Sequence, residues 1–546
     1  MSYKKLNLTK PVIILTYLYL CLPVLIFLIG WCKWYVALSG IIVIGFSFIQ
    51  CIKTHFADKE GQNVKIALEK KDFFILAAAL LIICCWAALS GVGQYVWQND
   101  DHEYRNTIFE ILVAHKWPVT GMYEHNGESI QTGMVYYLGF WLLPAIIGKR
   151  FGMNAGYAAQ YIWAVIGIVI VYLLLCIWKK KIMLWPLILM IFFSGMDMVG
   201  TILFSQDSFT FLGTEHLERW IGSYQFSSMT TQLFWVFNQA IPAWVLCILI
   251  FTNEKPKNMI FLWSTIMLTS TFPFAGMLPY IFYYLIPQKS NIKSAEKHGY
   301  LAGFVSNLTS MQNLLGGGYI GIVSLIYLTG NISSQKGNLA SFSSGKLIAA
   351  AIFVLILLLF SLFCLKLKAA HRKKFLYILA ACVGIIFCFL AAKRLLLDNR
   401  SWNTDLYRLV RMLGFYFLEA GAMIICLEKF IPEKKLLTLT AVWLFLVPYI
   451  VVGSSIDFCM RASIPGLFLL MIWSIEVIDK YRKEVYARIL IILLLIGSVT
   501  SFHEIKRTII NSSNYYTIQS VEESEIMTSD NFSGDTNGMF WKFLAK

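Results

Sequence analysis

Two adjacent carboxylates, Asp100 and Asp101, directly follow a long apolar run in the first fifth of the chain. A carboxylate in surroundings of reduced dielectric can act as general base on an acceptor hydroxyl. The same residues also suit a structural role. Asp100 with Glu103 matches a helix-capping box, and Asp101 can pair with Arg105 at i+4. From this segment alone, the catalytic and the structural interpretations carry equal weight.

A second polar group surrounds His216. Upstream of it, Asp197 lies inside an apolar segment near its predicted outer end, where an ionisable group is costly and often functional. Glu215, His216 and Glu218 stand close together in the next polar stretch. With a distant carboxylate they could bind a divalent metal ion, although His216 and Glu218 at i,i+2 make a weak metal signature. The alternative is a polar and aromatic lining that hydrogen-bonds and stacks on a sugar.

Arginines form a third group. Arg400, Arg408 and Arg461 stand near predicted outer ends of apolar segments, against the usual cytoplasmic bias of basic residues, and therefore require an anionic partner. A structural ion pair with Asp405 or Asp457 supplies one, and this interpretation is slightly favoured for Arg408. For Arg461, beside Asp457, phosphate binding is a fair competitor, because a guanidinium fork matches phosphate oxygens.

The composition places these groups in a membrane protein. Of the 546 residues, 58% are hydrophobic and 14% are charged, a balance that a water-soluble fold could not use. Apolar runs of roughly 17 to 25 residues, enough to cross the bilayer as helices, recur along the chain. The sequence therefore predicts an all-α polytopic bundle in one transmembrane domain, residues 1–502.

The net charge of +15 is explained by orientation rather than by nucleic-acid binding. Lys and Arg cluster in one set of short loops, which the positive-inside rule places in the cytoplasm together with the N-terminus. The alternate loops are acidic and aromatic and are predicted outside. These external loops are residues 92–133, 205–230, 331–345, 393–406 and 453–462, followed by an external C-terminal tail, 503–546. The 12 cysteines lie mainly in apolar segments, which suggests neither a disulfide framework nor a zinc site.

About 13 to 15 helical crossings fit between these loops. Residues 134–148 are short and carry Gly139 and Pro144, which predicts an interfacial or re-entrant helix. Residues 258–287 are expected to hold two short spans broken around the TFPFAGMLP stretch.

The segment after Asp101 has a helical apolar pattern. Isoleucine, phenylalanine and leucine at positions 108, 109 and 112 share one face of the predicted helix. This pattern favours a helix that lies on the membrane surface, within the first large external loop.

At these motifs the chain resembles the GT-C superfamily, integral membrane glycosyltransferases that use lipid-phosphate-linked sugars. In that superfamily an acidic motif stands in the first large external loop, where Asp100 and Asp101 stand here, and surface helices and further spans follow. The stretches LVAHKWPV, MVYYLGFWLLPAIIGKRFG, FFSGMDMVG, SSMTTQLFWVFNQAIPAW and DFCMRASIPGLFLL are also similar to a group of uncharacterised bacterial membrane proteins of this plan. Two departures are a second span before the one that leads to the acidic loop, and a short tail where an oligosaccharyltransferase carries a large soluble domain.

The resemblance implies a cell-membrane enzyme that takes a polyprenyl-phosphate-linked sugar as donor and an envelope glycan or lipid as acceptor. Asp101 or Asp100 would deprotonate the acceptor hydroxyl, and attack on the anomeric carbon would invert its configuration. As a further hypothesis, Arg461, with Arg400 or Arg408, would stabilise the departing phosphate. No cofactor is assigned, and a divalent cation is the candidate. Aromatic residues that could shape the sugar site or anchor the interface are Trp97, Tyr104, Trp220 and Trp402.

Three other functions remain open. A flippase or transporter for lipid-linked saccharides would carry polar groups through the membrane midplane and often an internal repeat, whereas the polar groups here lie at the predicted outer ends of spans. A polysaccharide polymerase or ligase would also work outside on lipid-linked substrates. A structural or assembly protein is the third, and the density of external Asp, Glu and Arg argues moderately against it.

Overall fold

We describe the protein from a computed structural model. The description covers residues 8–57, 69–125, 128–204, 216–222, 224–252, 254–287, 299–331, 405–450, 452, 457–514 and 518–546. Only the backbone is described for residues 124–125, 128–130, 299–300 and 405–409. Glu215 and Arg400 of the predicted site lie outside the described residues, as do most of the predicted external loops at 331–345 and 393–406.

The N-terminal part of the fold is helical except for one β-hairpin. Its helices are α1 (Thr9–Trp31), α2 (Trp34–His55), α3 (Lys70–Leu89), α4 (Asp101–Ala114), α5 (Gly139–Phe151), α6 (Met153–Lys179), α7 (Trp185–Phe192) and α8 (Asp197–Phe204). The hairpin between α4 and α5 consists of β1 (Thr120–His125) and β2 (Glu128–Met134).

The rest of the described chain is also mainly helical. Its longer helices are α9 (Met229–Thr252), α10 (Pro256–Thr265), α11 (Thr271–Leu285), α12 (Gly299–Leu308), α13 (Gly318–Leu328), α14 (Asp405–Tyr416), α15 (Ala422–Glu428), α16 (Lys434–Leu446), α17 (Asp457–Ala462), α18 (Ile464–Tyr481), α19 (Val485–Asn514) and α20 (Glu523–Thr528), followed by strand β3 (Ser533–Asp535). Single 3₁₀ or π turns occupy Leu217–Arg219, Gln312–Gly317, Phe417–Gly421, Val447–Tyr449 and Phe540–Leu544.

Within the described residues, 9 helical segments are long and apolar enough to cross a bilayer. They are α1, α2, α3, α6, α7 with α8, α9, residues 410–428, residues 457–481 and α19. A further pair, α12 with residues 312–328, passes the same test together but is bent by 59°. The chain is therefore a multi-pass, mainly helical membrane protein, and the predicted number of crossings stays a prediction for the whole chain.

The predicted interruptions of the bundle fall close to where the sequence placed them. α5, Gly139–Phe151, is too short to cross the bilayer and contains Pro144, in line with an interfacial or re-entrant helix. Residues 258–287 hold α10 and α11, but the break between them lies at residues 266–270, before the TFPFAGMLP stretch. The loop expected at 453–462 is helical from Asp457 onward, in α17.

The chain is mainly helical, in agreement with the all-α prediction, and the first external loop adds a small element that was not predicted: β1, β2 and β3 form a three-stranded antiparallel sheet. One expectation for this loop needs correction. α4 is a helix as predicted, but its apolar face contacts protein. Ile108, Phe109 and Leu112 are buried, and the Phe109 ring packs on Tyr157 at a centroid distance of 5.0 Å. The face that suggested lipid contact instead packs within the protein, where α4 contacts α5, α6 and the C-terminal tail.

The core of the bundle surrounds α9. Almost every residue of this helix is buried, and it packs against α6, α11, α18 and α19. The helix is broken at Val236, whose backbone angles (φ −142°, ψ 36°) are not helical. The side chains on the two sides of this kink face two different groups of polar residues.

Candidate functional site

The N-terminus of α4 places Asp101. Asp100 occupies the N-cap position, but its side chain makes no capping hydrogen bond, so the capping box predicted with Glu103 is not formed. Asp101 and Glu103 lie in the first helical turn, where negative charge is favourable. The structural role expected for Asp100 is therefore absent, and the pairing expected for Asp101 is present.

Asp101 forms the predicted ion pair with Arg105. Arg105 donates from Nη2 to Oδ2 of Asp101 at 2.6 Å. The two side chains differ in exposure, at 39% for Asp101 and 8% for Arg105. The guanidinium group also lies 5.8 Å from the centre of the Phe237 ring. The arginine side chain is thus buried in the protein, whereas the carboxylate is partly exposed at the protein surface.

The kink of α9 anchors the start of α4. The freed backbone oxygen of Phe234 accepts a hydrogen bond from Asn99 at 2.9 Å and lies 3.1 Å from Nε2 of His102. The His102 ring stacks on Phe237 at 5.5 Å. Burial, with the charge of Arg105, lowers the pKa of His102 to about 3, so its imidazole is neutral. A neutral donor here fixes α4 without adding charge to the site.

The start of the span 457–481 brings a second arginine to the site. Arg461 pairs with Asp457 across one helical turn, with Nη2 and Oδ1 3.3 Å apart, and its side chain is 7% exposed. Its guanidinium group lies 5.7 Å from the centre of the Phe272 ring. Burial raises the pKa of Asp101, but the charges of Arg105 and Arg461 outweigh this effect, so the pKa lies below its ordinary value. Asp101 is therefore ionised at neutral pH.

Two tyrosines complete this first cluster. The hydroxyl groups of Tyr136 and Tyr137, between β2 and α5, are hydrogen-bonded to each other. The Phe272 ring lies 6.5 Å from the ring of Tyr137 and 5.7 Å from the Arg461 guanidinium group, so the tyrosine pair and Arg461 pack around the same aromatic ring. Burial raises the pKa of both phenols, so they are neutral hydrogen-bonding groups.

Each buried arginine of this cluster keeps an unused donor. Among the described residues, Nη1 of Arg105 and Nε of Arg461 are buried and have no hydrogen-bond partner. Buried polar groups in native proteins are nearly always paired. These two guanidinium nitrogens are therefore donors that an acceptor-rich ligand could use.

The second cluster gathers around His216. Nδ1 of His216 lies 2.7 Å from Oε1 of Glu504, and the imidazole stacks on Trp235 at 5.0 Å. Trp235 donates to the same carboxylate at 3.2 Å. Burial lowers the pKa of His216, but the charge and the hydrogen bond of Glu504, together with the charge of Glu218, raise it above its ordinary value. His216 and Glu504 thus form a buried ion pair.

Glu218 is bound by the protein as well. Its two oxygens accept hydrogen bonds from Gln225 at 2.8 Å and from the backbone N–H of Ser228 at 2.9 Å. Burial, with the charge of Asp197, raises the pKa of Glu218 to about 7. In the part of the chain that the structure describes, no group of three His, Cys, Asp or Glu side chains is arranged to hold a metal ion. Glu215 lies outside the described residues, so the metal set predicted from Glu215, His216 and Glu218 stays a prediction.

Asp197 lies deeper in the same cluster. It is the first residue of α8, is almost fully buried, and accepts hydrogen bonds from Ser194 at 2.9 Å and Thr500 at 3.0 Å. The backbone N–H of Met196, which precedes Asp197, donates to the carbonyl of Leu418 at 3.1 Å. Asp197 therefore lies near Glu419, whose carboxylate accepts a hydrogen bond from Trp220 at 3.1 Å. Asp197 thus belongs to a buried acidic group inside the bundle, and its predicted position near the outer end of the span stays a prediction.

The α9 kink joins the two clusters. On its two sides, Trp235 contacts His216 and Glu504, and Phe237 contacts Arg105 and His102. The structure therefore assembles Asp101 with Arg461 and Asp457, and Asp197 with Glu218 and His216. Arg408 lies in the first part of α14, residues 405–409, for which only the backbone is described.

Several residues of both clusters escaped the sequence analysis. Tyr136 and Tyr137 belong to the mainly apolar MVYYLGF stretch, so the sequence did not mark them as members of a polar cluster. Their position directly after β2 is visible only in the structure. Glu504 and Glu419 lie within apolar helices. An acidic residue in an apolar helix is itself a functional signal and could have identified them.

Comparisons with protein-family models, with curated proteins and with solved structures find no match to this chain. The geometry of the two clusters is therefore the basis for a functional proposal.

Proposed function

We propose that the protein is a membrane glycosyltransferase that moves a sugar from a polyprenyl-phosphate-linked donor to an acceptor hydroxyl of an envelope glycan or lipid, on the extracytoplasmic side. One observation carries the proposal: the partly exposed carboxylate of Asp101 is paired with the buried guanidinium group of Arg105, and the positive charge of the buried Arg461 also lowers its pKa. A base and a phosphate-binding group in one site are the two parts that such a transfer needs. The resemblance of the acidic loop to the GT-C superfamily points to the same chemistry.

The orphan nitrogens of the two arginines support a phosphate ligand. A buried donor without a partner costs about 1–3 kcal/mol, and Arg105 and Arg461 each keep one. Phosphate oxygens are strong acceptors that match guanidinium donors. A bound phosphate would satisfy both nitrogens, and Asp457 would keep Arg461 in place.

The proposed reaction is a direct displacement. The acceptor hydroxyl attacks the anomeric carbon on the face opposite the phosphate, which inverts the configuration. As the new carbon–oxygen bond forms, the bond to the phosphate oxygen breaks, and the phosphate leaves with the electron pair. Asp101 takes the hydroxyl proton. Arg461 and Arg105 stabilise the negative charge of the departing phosphate.

The donor itself would tune the base. In the resting site, the two arginines hold the pKa of Asp101 below its usual value, which makes it a weak base. A phosphate that binds the guanidinium groups adds negative charge beside Asp101 and raises its proton affinity. Asp101 is therefore ionised before the donor binds and becomes a better base once the donor is in place.

The other predicted residues have supporting places in this proposal. Asp197, His216 and Glu218 belong to the cluster across the α9 kink, and a contact of these residues with the sugar remains a prediction. Arg400 and Arg408 remain candidate phosphate ligands, and Asp100 remains a candidate base beside Asp101.

Transport of a lipid-linked saccharide is a second candidate function, favoured by one observation. Asp197, Glu419 and Glu504 are buried inside membrane-spanning segments, and ionisable groups there often line a pathway. A polymerase or ligase of envelope polysaccharide would use the same donor chemistry and differ in its acceptor.

Reconstitution into liposomes with a polyprenyl-phosphate-linked sugar separates these functions. Transfer predicts release of free polyprenyl phosphate that requires both the protein and an acceptor. A flippase moves the intact donor to the other leaflet without releasing the phosphate. A polymerase releases polyprenyl phosphate or diphosphate and lengthens a lipid-linked glycan. Movement of intact donor with no release would reject the proposed transfer.

A further inference from the structure

The C-terminal tail, residues 518–546, is built into the same region as the candidate site. β3 pairs with β2, with Met134 opposite Ser533. The backbone N–H of Val135 then donates to the carbonyl of Phe532 at 2.9 Å. The tail therefore holds the chain immediately before Tyr136.

The tail also holds α4. Asn106 donates to the backbone oxygen of Gln519 at 2.9 Å, and Thr107 donates to that of Val521 at 2.8 Å. Asn106 and Thr107 are the two residues that follow Arg105 in α4. Both segments that supply the first cluster, α4 and the stretch after β2, are thus fastened by the tail.

Phe532 makes the direct contact between the tail and the cluster. Its ring lies between two tyrosines, 6.0 Å from the ring centre of Tyr104 and 4.9 Å from that of Tyr136. The contact with Tyr136 is edge to face, at 69°, a favourable geometry for aromatic rings. Phe532 thus limits how far the Tyr136 ring can move.

A second contact of the tail fixes the backbone of Tyr136. Its N–H donates to the hydroxyl of Tyr327 at 3.2 Å, and the Tyr327 ring packs on Phe540 of the tail at 4.9 Å. Phe540 is fully buried. The backbone and the ring of Tyr136 are therefore held from two sides by elements that pack on the tail.

We propose that the tail positions Tyr136 and Tyr137 beside Arg461, and that the Phe532 ring is the contact through which it does so. Phe532 is thus a positioning residue that acts through Tyr136 and Tyr137. The inference rests on the proposed function for its effect on sugar transfer. Its effect on the position of the tyrosines needs no substrate.

Two measurements on the full-length protein test the proposal. Hydrogen–deuterium exchange of the backbone over residues 134–138, without ligand, reports how firmly the tyrosines are held. Initial rates of transfer, resolved into kcat and KM, report the site. The variants are Phe532→Ala, Phe532→Tyr, which keeps the ring, and Phe543→Ala as the matched control, since Phe543 belongs to the same tail but its side chain is 61% exposed.

Phe532→Ala is expected to speed exchange in this segment about tenfold or more, because a held segment opens more often when a packing contact is lost. A displaced site should lower kcat about 10- to 100-fold. Phe532→Tyr keeps the ring and should keep the exchange rate and kcat close to those of the parent. Phe543→Ala should leave both quantities unchanged. Exchange at the parent rate in Phe532→Ala, or faster exchange with unchanged transfer, would overturn the proposal.

The outcome separates this inference from the proposed function. If the parent protein transfers no sugar but Phe532→Ala still loosens residues 134–138, the proposed function fails and the positioning by the tail stands. If Phe532→Ala does not fold, Phe532→Leu replaces it, since leucine keeps most of the apolar volume and lacks the ring. An unchanged exchange rate in that variant would likewise overturn the role of the ring.

Discussion

Arg105 donates a 2.6 Å hydrogen bond to Asp101, one helical turn before it, and the two partners differ greatly in exposure: 8% for the guanidinium side chain and 39% for the carboxylate. The buried partner cannot exchange this bond for water, whereas the carboxylate can. A phosphate or hydroxyl that reaches the site can therefore compete for the arginine or approach the carboxylate. This asymmetry makes the pair suitable for chemistry and not only for structure.

Replacement of Arg461 by lysine tests the phosphate role. Arg461→Lys keeps the charge and loses the planar fork. Loss of one hydrogen bond to a charged group, about 1.5–3 kcal/mol, should lower transfer about 10- to 100-fold. The measurement is the transfer rate at equal amounts of protein in the membrane. Arg488→Lys serves as control, because Arg488 is exposed and its guanidinium group donates to the backbone oxygen of Lys483. Equal rates in the Arg461 variant and the parent would remove the guanidinium from the mechanism.

Labelling with a membrane-impermeant maleimide tests the orientation. Met122→Cys in β1 and Met539→Cys in the tail should react in intact cells, because the structure joins these two elements in one sheet region. Val485→Cys at the start of α19 should react only after the membrane is permeabilised. The three native side chains are similarly exposed, at 62%, 66% and 63%, so accessibility within the protein does not distinguish them. The reverse pattern would place the candidate site in the cytoplasm.

The buried pair of His216 and Glu504 should contribute to stability. His216→Ala leaves the Glu504 carboxylate buried without this partner, and breaking a buried pair costs about 3–5 kcal/mol. Thermal unfolding in detergent measures the change. His115→Ala is the matched control, because His115 pairs with Glu523 at the surface, with side-chain exposures of 38% and 37%, and an exposed pair contributes at most about 1 kcal/mol. Equal melting temperatures for the two variants would contradict the structural pair.

The same pair gives a sign for the pH dependence. Burial opposes the charged form of His216, but Glu504 raises its pKa above the ordinary 6.5. The stabilisation is therefore complete below about pH 6.5 and is lost as the pH rises through the folded-state value. The parent should lose stability over that range, and His216→Ala should lose less of it. A metal ion held by His216 and Glu218 would instead make the melting temperature of the parent fall when EDTA is added.

The sequence analysis succeeded where the relevant contacts are local. The Asp101–Arg105 and Asp457–Arg461 pairs lie one helical turn apart, so the spacing alone predicted them. A short α5 with an internal proline was expected from Gly139 and Pro144, whereas the break between α10 and α11 lies before the TFPFAGMLP stretch, and α11 runs through Pro273 and Pro279. Apolar runs of sufficient length identified the spans that the structure describes.

The features that the sequence did not predict depend on contacts between distant parts of the chain. β3 lies about 400 residues after the hairpin that it joins, so no local pattern predicts the sheet. The tail also helps to cover α4, which is why an apolar face that resembles a membrane-surface helix is buried in protein. Glu504 reaches His216 across 288 positions, and only the packing of α19 on the 3₁₀ turn at Leu217–Arg219 brings them together.

The most direct test of the proposed function is the rate of sugar transfer from a polyprenyl-phosphate-linked donor by Asp101→Asn, measured with equal protein in the membrane. Asparagine keeps the volume and an oxygen that can bond Arg105, but it does not accept a proton near neutral pH. General-base assistance contributes about 10²- to 10⁴-fold, and the rate should fall within that range. Asp100→Asn identifies which aspartate acts, and Glu103→Gln makes the same chemical change in the same helical turn as a control. Transfer at the parent rate by Asp101→Asn, Asp100→Asn and the double variant would contradict the account.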